Sequence, residues 1–215
     1  GAKDVNLDDE LARVIPVIHS IRQLYPDLPI SVDTSKARVM AEAIAVGADI
    51  INDVRALQEP GALEVAVGAQ VPVCLMHMQG QPRSMQHQPS YQHVVLEVLA
   101  FLQQRAEICV AAGIARQQII FDPGFGFGKS LAHNYELLSA MSQFVETGYP
   151  VLAGMSRKSM IGQLLNRDVA ERLAGSIACA TIAVMKGAQI IRVHDIKETA
   201  DAIKIAQATK FGVNA

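Results

Sequence analysis

Three polar side chains stand in short apolar runs, where an unpaired polar group costs on the order of a few kcal/mol. Asp33 ends "ISVD", Asn52 interrupts "IINDV" and Asp122 ends "IIFD". Each could instead cap the following helix, and "VDTSK" suits that alternative because Asp, Thr and Ser are good N-cap residues. Capping does not explain Asn52, whereas two carboxylates and an amide together suit a planar heterocycle with N–H donors and acceptors. Asp53 points to the opposite face of its strand and is predicted to be structural.

A second group of candidates is cationic. In "IIRVHD" (190–195), Ile190, Arg192 and His194 share one face by the period of two of a strand. Arg192, buried among Ile and Val, needs an anion or an aromatic face as its partner. The turn "SRKS" (156–159) follows the apolar run "VLAGM" and precedes a helix, whose free N–H groups favour an anion. Lys158 is the foremost candidate in that turn. The other histidines are predicted to lie at the surface: His19, His87, His93 and His133.

The loop "DPGFGFGKS" (122–130) is close to two phosphate-binding patterns but fits neither. The Walker A pattern needs a glycine five residues before Gly128, where Pro123 stands. The dinucleotide fingerprint fails as well, because the glycines are spaced G-x-G-x-G rather than G-x-G-x-x-G. A nucleotide is therefore not expected on this loop.

These residues need a scaffold that gathers the ends of several strands. Apolar runs at 30–33, 50–54, 73–77, 119–122, 151–155 and 190–194 are each followed by a stretch with helical periodicity, such as 169–188 before the last run. A further helical stretch, 7–25, precedes the first run. Gly47, Gly113 and Gly187 fall where helices would end. An open sheet concentrates ligand groups at one switch point, whereas a barrel draws them from many strand ends. Six contributing strands predict an α/β fold of the TIM (β/α)8 barrel class, with about six of the eight βα units in this chain.

Composition limits the partners and the compartment. The 215 residues are 50% hydrophobic and 19% charged, which is typical of one well-buried domain, and the net charge of −2 argues against nucleic acid or an anionic membrane. No apolar run is long enough for a membrane span, and the N-terminus lacks a signal pattern. The three cysteines are predicted to be reduced core thiols and the protein cytoplasmic: Cys74, Cys109 and Cys179. No set of His, Asp and Glu has the geometry of a protein-only metal site.

Six segments in order carry a resemblance to a known family. "SVDTSK", "IINDV", "CLMHMQGQPRSMQ", "DPGFGFGKS", "GMSRKSMIG" and "IRVHD" closely resemble bacterial dihydropteroate synthases, the folate-pathway targets of sulfonamides. The resemblance covers the chain from its first helix to its last. It implies a TIM barrel that joins 7,8-dihydropterin-6-methyl pyrophosphate to p-aminobenzoate and releases pyrophosphate.

The resemblance also implies site residues, which fall into three sets. Asp33, Asn52, Asp122 and Lys158 would hydrogen-bond the pterin ring, with Met76 and Arg192 against its faces and Gly154 leaving room for its edge. Asn52, Arg192 and His194 would hold pyrophosphate. Phe127, Lys158 and Ser159 would line the p-aminobenzoate site. The catalytic residues expected by this resemblance are Lys158, Asp33, Asp122, Arg192 and His194. A Mg²⁺ ion is expected with the pyrophosphate group, and sulfonamide binding and a homodimer are expected of the complete protein.

The family's first two strands and their loops have no counterpart here. Those segments carry Asn-Val-Thr-Pro-Asp-Ser-Phe and Gly-Glu-Ser-Thr-Arg-Pro stretches, and the Asn of the first helps to bind the magnesium pyrophosphate in the family. We therefore expect a single pterin-binding domain over residues 1–215 that lacks two N-terminal βα units. Two alternatives remain open: an inactive pterin-binding fragment, and a methyltetrahydrofolate-dependent methyltransferase, which would not be expected to carry "SRKS" followed by "RVH".

Overall fold

The computed structural model describes residues 5–80 and 89–213, in which short strands alternate with helices. The strands are β1 (Ser31–Asp33), β2 (Ile50–Asp53), β3 (Val73–Met76), β4 (Ile119–Asp122), β5 (Leu152–Ala153) and β6 (Ile190–Ile191). The helices are α1 (Leu7–Leu24), α2 (Ala37–Ala45), α3 (Ala62–Ala69), α4 (Val94–Ala112), α5 (Leu131–Ser139), α6 (Met141–Val145), α7 (Ser159–Leu165), α8 (Leu173–Met185) and α9 (Ile196–Phe211). His87 and the end of the "CLMHMQGQPRSMQ" segment lie outside the described residues.

The chain divides into two compact units, Gly1–Met78 with Ala100–Ile120 and Gln79–Leu99 with Phe121–Ala215. The strand order β1-β2-β3-β4 forms one sheet, in which β1 pairs in parallel with β2 and β2 with β3. The register places Asp33 opposite Asn52. In the second unit β5 pairs in parallel with β6, and Phe121 bridges to Val151. The predicted alternation of strands and helices is therefore confirmed.

Apolar faces decide which side of each element is buried in its own unit. In the first unit Ile51, Val73 and Leu75 of the strands are fully buried, as are Val39 and Met40 of α2. In the second unit the fully buried side chains include Phe121, Phe125, Phe144, Met141 and Met160. Strands this apolar need cover on both faces, which is the pattern of a parallel sheet flanked by helices.

Local sequence signals explain where the long helices begin and end. Asn6 caps α1 by accepting a hydrogen bond from the N–H of Asp9 at 2.8 Å, and three acidic residues occupy the first turn, where the helix dipole favours negative charge. The predicted stops at Gly47, Gly113 and Gly187 are confirmed, because all three have positive φ just after a helix.

Two elements differ from the sequence expectation. The helix predicted over 169–188 is a 3-10 turn at Val169–Glu171 followed by α8, because Arg172 has φ −89° and ψ 8° and leaves the helical path between them. The strand predicted over 190–194 pairs only at Ile190–Ile191. The chain turns toward α9 after that point, and the backbone N–H of His194 donates to Ser156 Oγ at 3.2 Å instead of to a strand.

Candidate active site

Asn52 is the most unusual polar residue of the first unit. Its side chain is 3% exposed, and neither atom of its amide has a hydrogen-bond partner in the described part of the chain. Leaving a buried donor or acceptor unpaired costs roughly 1–3 kcal/mol, so such a group calls for a partner such as a ligand, an ion or a water molecule. The prediction that Asn52 binds something other than its own fold is supported by this geometry.

Asp33 and Met76 end the strands on either side of β2. Asp33 lies opposite Asn52 in the register, but its side chain is exposed and not buried as its apolar neighbours suggested. The capping alternative is wrong for Asp33, because Lys36 is the N-cap residue of α2 and it is Thr34 Oγ1 that accepts from the Lys36 N–H at 3.2 Å. Met76 is fully buried at the end of β3.

Asp53 is structural, as predicted from its opposite direction on β2. Its carboxylate is fully buried and accepts from the N–H groups of Arg55 and Leu57, each at 2.8 Å, and from the hydroxyl of Ser35. Burial raises the pKa of the Asp53 carboxyl, and these hydrogen bonds oppose that rise. Asp53 therefore holds the turn after β2, in contrast to the unpaired amide beside it.

In the second unit Asp122 presents a buried carboxylate at the end of β4. It is 2% exposed, its Oδ1 accepts from the Gly124 N–H at 2.7 Å, and its Oδ2 lies 3.7 Å from Arg192 Nη2. Burial raises the pKa of the Asp122 carboxyl, while Lys158, the Gly124 N–H, Arg192 and Lys129 oppose that rise. A desolvated carboxylate with cations around it is suited to bind a polar heterocycle or to stabilise a developing positive charge.

Lys158 connects the turn before α7 to the glycine loop that follows Asp122. Its ammonium donates to the carbonyl of Phe125 at 2.5 Å and lies 4.7 Å from the centroid of the Phe127 ring. Phe125 is fully buried, whereas Phe127 is partly exposed. A cation over a partly exposed aromatic ring forms a cation–π contact and a wall suited to a second aromatic molecule.

Lys129 and Asn134 are buried polar residues whose roles sequence reasoning missed. Lys129 is 3% exposed, and its Nζ donates to the carbonyls of Gly124 at 2.9 Å and Phe127 at 3.1 Å. Burial lowers the pKa of Lys129 to about 7. Asn134 Oδ1 accepts from the Gly126 N–H at 2.7 Å. The available signals are an asparagine three and four residues before the buried Leu137 and Leu138 of α5, and a lysine at the end of a glycine loop that matches no nucleotide pattern.

Arg192 and His194 differ from their predicted setting. The Arg192 side chain is 38% exposed and not buried as predicted, and its Nη2 lies 3.7 Å from the Asp122 carboxylate. Its guanidinium lies against Gly154, where an added Cβ would stand 3.2 Å from Arg192 Nε. His194 is exposed and its Nδ1 lies 3.0 Å from Ser156 Oγ. Both residues lie beyond the two-residue strand β6, where the period of two of a strand does not apply.

The turn at 156–159 contains one cation that is already paired. Arg157 has φ +56° and forms two hydrogen bonds to the Asp195 carboxylate, at 3.0 Å and 2.5 Å. This contact raises the pKa of Arg157 and lowers the pKa of Asp195. Arg157 therefore links this turn to the start of α9, while Ser159 is exposed at the first position of α7.

The predictions for the remaining histidines and for the cysteines are mostly confirmed. His19 and His93 are exposed, but His133 is only partly so, because its Nδ1 accepts from the Ser130 N–H at 3.3 Å and its ring packs edge-on against Tyr91. All three cysteines are free and buried, as predicted: Cys74, Cys109 and Cys179.

Two further results concern metals and membranes. Within residues 5–80 and 89–213, no group of three or more His, Cys, Asp or Glu side chains could hold a metal ion. Mg²⁺ usually keeps several waters and binds through one or two protein oxygens plus substrate phosphates, and the unpaired Asn52 Oδ1 is an oxygen donor that fits such a site. Among the helices of the same residues, none has the length and apolar content to cross a bilayer.

The chain matches the family described as pterin binding enzyme over residues 1–194. The dihydropteroate synthase of Haemophilus influenzae is 57% identical over 209 residues, which are 97% of this chain and 76% of the relative.

Solved structures of dihydropteroate synthases are also similar to this chain. A Yersinia pestis dihydropteroate synthase in a sulfonamide drug complex superposes with a TM-score of 0.96 at 55% identity, covering 98% of this chain and 76% of that one. A Xanthomonas albilineans dihydropteroate synthase with 4-aminobenzoic acid has a TM-score of 0.92 at 46% identity and covers 98% and 75%. The fold class is accordingly that of the TIM (β/α)8 barrel, with six βα units in the described part of this chain. Both the family match and these identities show that the chain belongs to the dihydropteroate synthases of the pterin binding enzyme family.

Proposed function

We propose that the protein joins 7,8-dihydropterin-6-methyl pyrophosphate to p-aminobenzoate and releases pyrophosphate. The observation that carries this proposal in the described residues is the buried Asp122 carboxylate, 3.7 Å from the Arg192 guanidinium and influenced by the Lys158 ammonium. A carboxylate can accept hydrogen bonds from the N–H groups of a pterin, and the neighbouring cations can offset the charge of a phosphate leaving group.

In the first unit, the proposal assigns an amide, a carboxylate and an apolar side chain to substrate contacts. We assign hydrogen bonds with the pterin to Asp33 and Asn52, and an apolar contact with its ring to Met76. Asn52 is supported by its buried amide, which has no partner among the described residues. Asn52 is also assigned to the pyrophosphate, where bound Mg²⁺ would neutralise phosphate charge.

The second unit contributes the cations and the aromatic wall. We assign Asp122 and Lys158 to the pterin, with Arg192 against its ring and Gly154 in the space beneath that guanidinium. Arg192 and His194 are assigned to pyrophosphate. Phe127, Lys158 and Ser159 are assigned to p-aminobenzoate, and the 4.7 Å contact between the Lys158 ammonium and the Phe127 ring supports that set.

The chemistry follows from these assignments. The C–O bond between the pterin methylene and pyrophosphate breaks, and the oxygen keeps the electron pair. Carboxylates at Asp33 and Asp122 stabilise the resulting cation electrostatically. The amine nitrogen of p-aminobenzoate forms the new C–N bond and then loses one proton to water or to the departing pyrophosphate. Arg192 and His194 offset the negative charge that develops on the leaving group.

Three further properties are proposals of the same kind. Sulfonamides would compete for the p-aminobenzoate site. A homodimer would cover exposed apolar residues of α8 and α9. The cytoplasm is the compartment that suits three free, buried cysteines, since disulfides are rare there.

Calorimetry on an extended protein tests the proposal. We define the extended protein as residues 1–215 preceded by the N-terminal segment of the Haemophilus influenzae relative. We expect a pterin to bind alone, and a sulfonamide to bind only after pterin and pyrophosphate are added. Binding of methyltetrahydrofolate with no response to pyrophosphate would instead support a methyltransferase, and absence of all binding would support an inactive fragment.

A further inference from the structure

The glycine loop at residues 124–128 is held by side-chain donors on several segments. Gly124, Gly126 and Gly128 all have positive φ, so the backbone follows a path that few other residues adopt. Four of its carbonyls accept from side chains: Lys129 bonds those of Gly124 and Phe127, Lys158 that of Phe125, and Tyr91 that of Gly128. Lys129 thus ties together two carbonyls that are three residues apart in the loop.

Lys158 and Lys129 differ in what they can do during a reaction. Lys158 is partly exposed and is assigned to both substrates, so its hydrogen bond to Phe125 competes with substrate contacts. Lys129 is 3% exposed and donates to the loop backbone. The two hydrogen bonds from Lys129 to the loop therefore persist when Lys158 binds a ligand.

The burial of Lys129 is costly for stability. Desolvation lowers its pKa to about 7, and an apolar side chain of similar volume at a buried ionic position is often neutral or stabilising. The nearby Asp122 carboxylate partly offsets that cost, whereas Lys129 makes the smallest of the cationic contributions that oppose the rise in the pKa of Asp122, after Lys158 and Arg192. A lysine at such a position points to a role beyond folding.

We propose that Lys129 is a positioning residue: by bonding the carbonyls of Gly124 and Phe127 it fixes the loop so that the Phe127 ring forms the wall of the arylamine site. This inference rests on the proposed function for the identity of the arylamine. The structural part of it, the position of Phe127, does not depend on catalysis. It predicts that losing Lys129 disturbs the second, aromatic substrate more than the pterin.

A fluorescence experiment tests the position of Phe127 without any turnover. The chain contains no tryptophan, so Phe127→Trp introduces a single reporter on the loop. Lys129→Met in that background should shift the emission to longer wavelength and increase acrylamide quenching. The matched control is Tyr91→Phe, which removes one hydrogen bond to the Gly128 carbonyl and should change both readouts less. If circular dichroism shows an unchanged fold, equal emission and quenching with and without the Lys129→Met substitution would overturn the inference.

Kinetics of the extended protein test the consequence for substrates. Losing two hydrogen bonds to the loop should raise the KM for p-aminobenzoate by about tenfold, while the KM for the pterin pyrophosphate stays within about twofold. Lys129→Arg keeps a cationic donor and should recover part of the loss. An equal rise in both KM values would overturn the specific role. An extended protein with no turnover would contradict the proposed function, while the fluorescence result would still decide the inference.

Discussion

At the scale of single residues, two adjacent polar residues of β2 differ in their hydrogen bonding. Asn52 has a buried amide with no partner in the described residues, and Asp53 has a buried carboxylate with three hydrogen bonds. Both interrupt the same apolar run, so the sequence marks both as polar and costly. Only the direction of each side chain separates the amide without a hydrogen-bond partner from the carboxylate that is bonded within its own turn.

A pair of leucine substitutions on the extended protein tests this contrast. Asn52→Leu removes an unpaired amide, so the free energy of unfolding should stay the same or rise, while pterin binding is lost. Asp53→Leu leaves the buried N–H of Leu57 and the partly buried N–H of Arg55 unpaired and should lower the free energy of unfolding by about 2 kcal/mol. Urea unfolding and calorimetry with a pterin measure the two effects. A large loss of stability in Asn52→Leu would contradict the ligand-binding role.

Lys158 is a second single residue with a testable role, because its ammonium contacts both the glycine loop and the Phe127 ring. We expect Lys158→Ala in the extended protein to reduce kcat/KM by about two orders of magnitude or more, which corresponds to roughly 3 kcal/mol of transition-state stabilisation. Lys186→Ala, on the residue that follows α8, is the matched control for loss of a lysine and should leave kcat/KM unchanged. Activity of Lys158→Ala within about threefold of the parent would rule out the proposed role.

At the scale of elements, the glycine loop depends on a close approach at Gly128. This residue has φ +64°, and an added Cβ would lie 2.3 Å from the carbonyl oxygen of Gln79. That oxygen belongs to the backbone, so it can move only if the chain around Gln79 moves with it. Gly128→Ala should therefore lower the free energy of unfolding by about 2 kcal/mol or more. Gly68→Ala on α3, where no atom stands within 4 Å, is the control and should be neutral or stabilising. Equal stability of the two variants by urea unfolding would contradict this account.

The same elements show how far the sequence could predict the structure. Apolar runs located all six strands, and the polar residues in them located Asn52 and Asp122, because burial of a polar group is visible as a break in an apolar pattern. The pattern failed at Arg192, since it cannot show that β6 ends after Ile191. It also failed at Lys129, because that lysine bonds backbone carbonyls whose directions depend on three positive φ angles. A pattern of side-chain types carries no information on those angles.

At the scale of the whole molecule, exposed apolar residues on α8 and α9 predict self-association. Ile182 and Met185 are each 42% exposed and Ile205 is 71% exposed, and two-fold pairing is the commonest solution for soluble oligomers. We expect the extended protein to sediment as a dimer at micromolar concentration and Ile182→Glu to dissociate it. Leu24→Glu, which alters an exposed leucine of α1, is the control and should leave the dimer intact. A monomeric parent would contradict the prediction.

The strands β1 and β6 stand at the ends of the strand orders of their sheets. β1 and β6 each pair with one other strand in the described residues, so each leaves one side of its backbone without a strand partner there. Exposed edges of apolar parallel strands invite pairing between chains. A barrel of eight units has about 250 residues, and this chain covers 76% of the Haemophilus influenzae relative.

We therefore expect residues 1–215 expressed alone to aggregate more readily than the extended protein and to show little or no synthase turnover. Asn52, Asp122 and Lys158 are present in both, so weak pterin binding by residues 1–215 is compatible with the prediction. Catalysis needs water to be excluded from the pterin cation, and strands with open edges provide no such enclosure. The measurement is pyrophosphate release by the two proteins at equal concentration, with the extended Lys158→Ala variant as the inactive control. Comparable turnover by both would show that the six βα units suffice, and that the open edges of β1 and β6 do not limit the reaction.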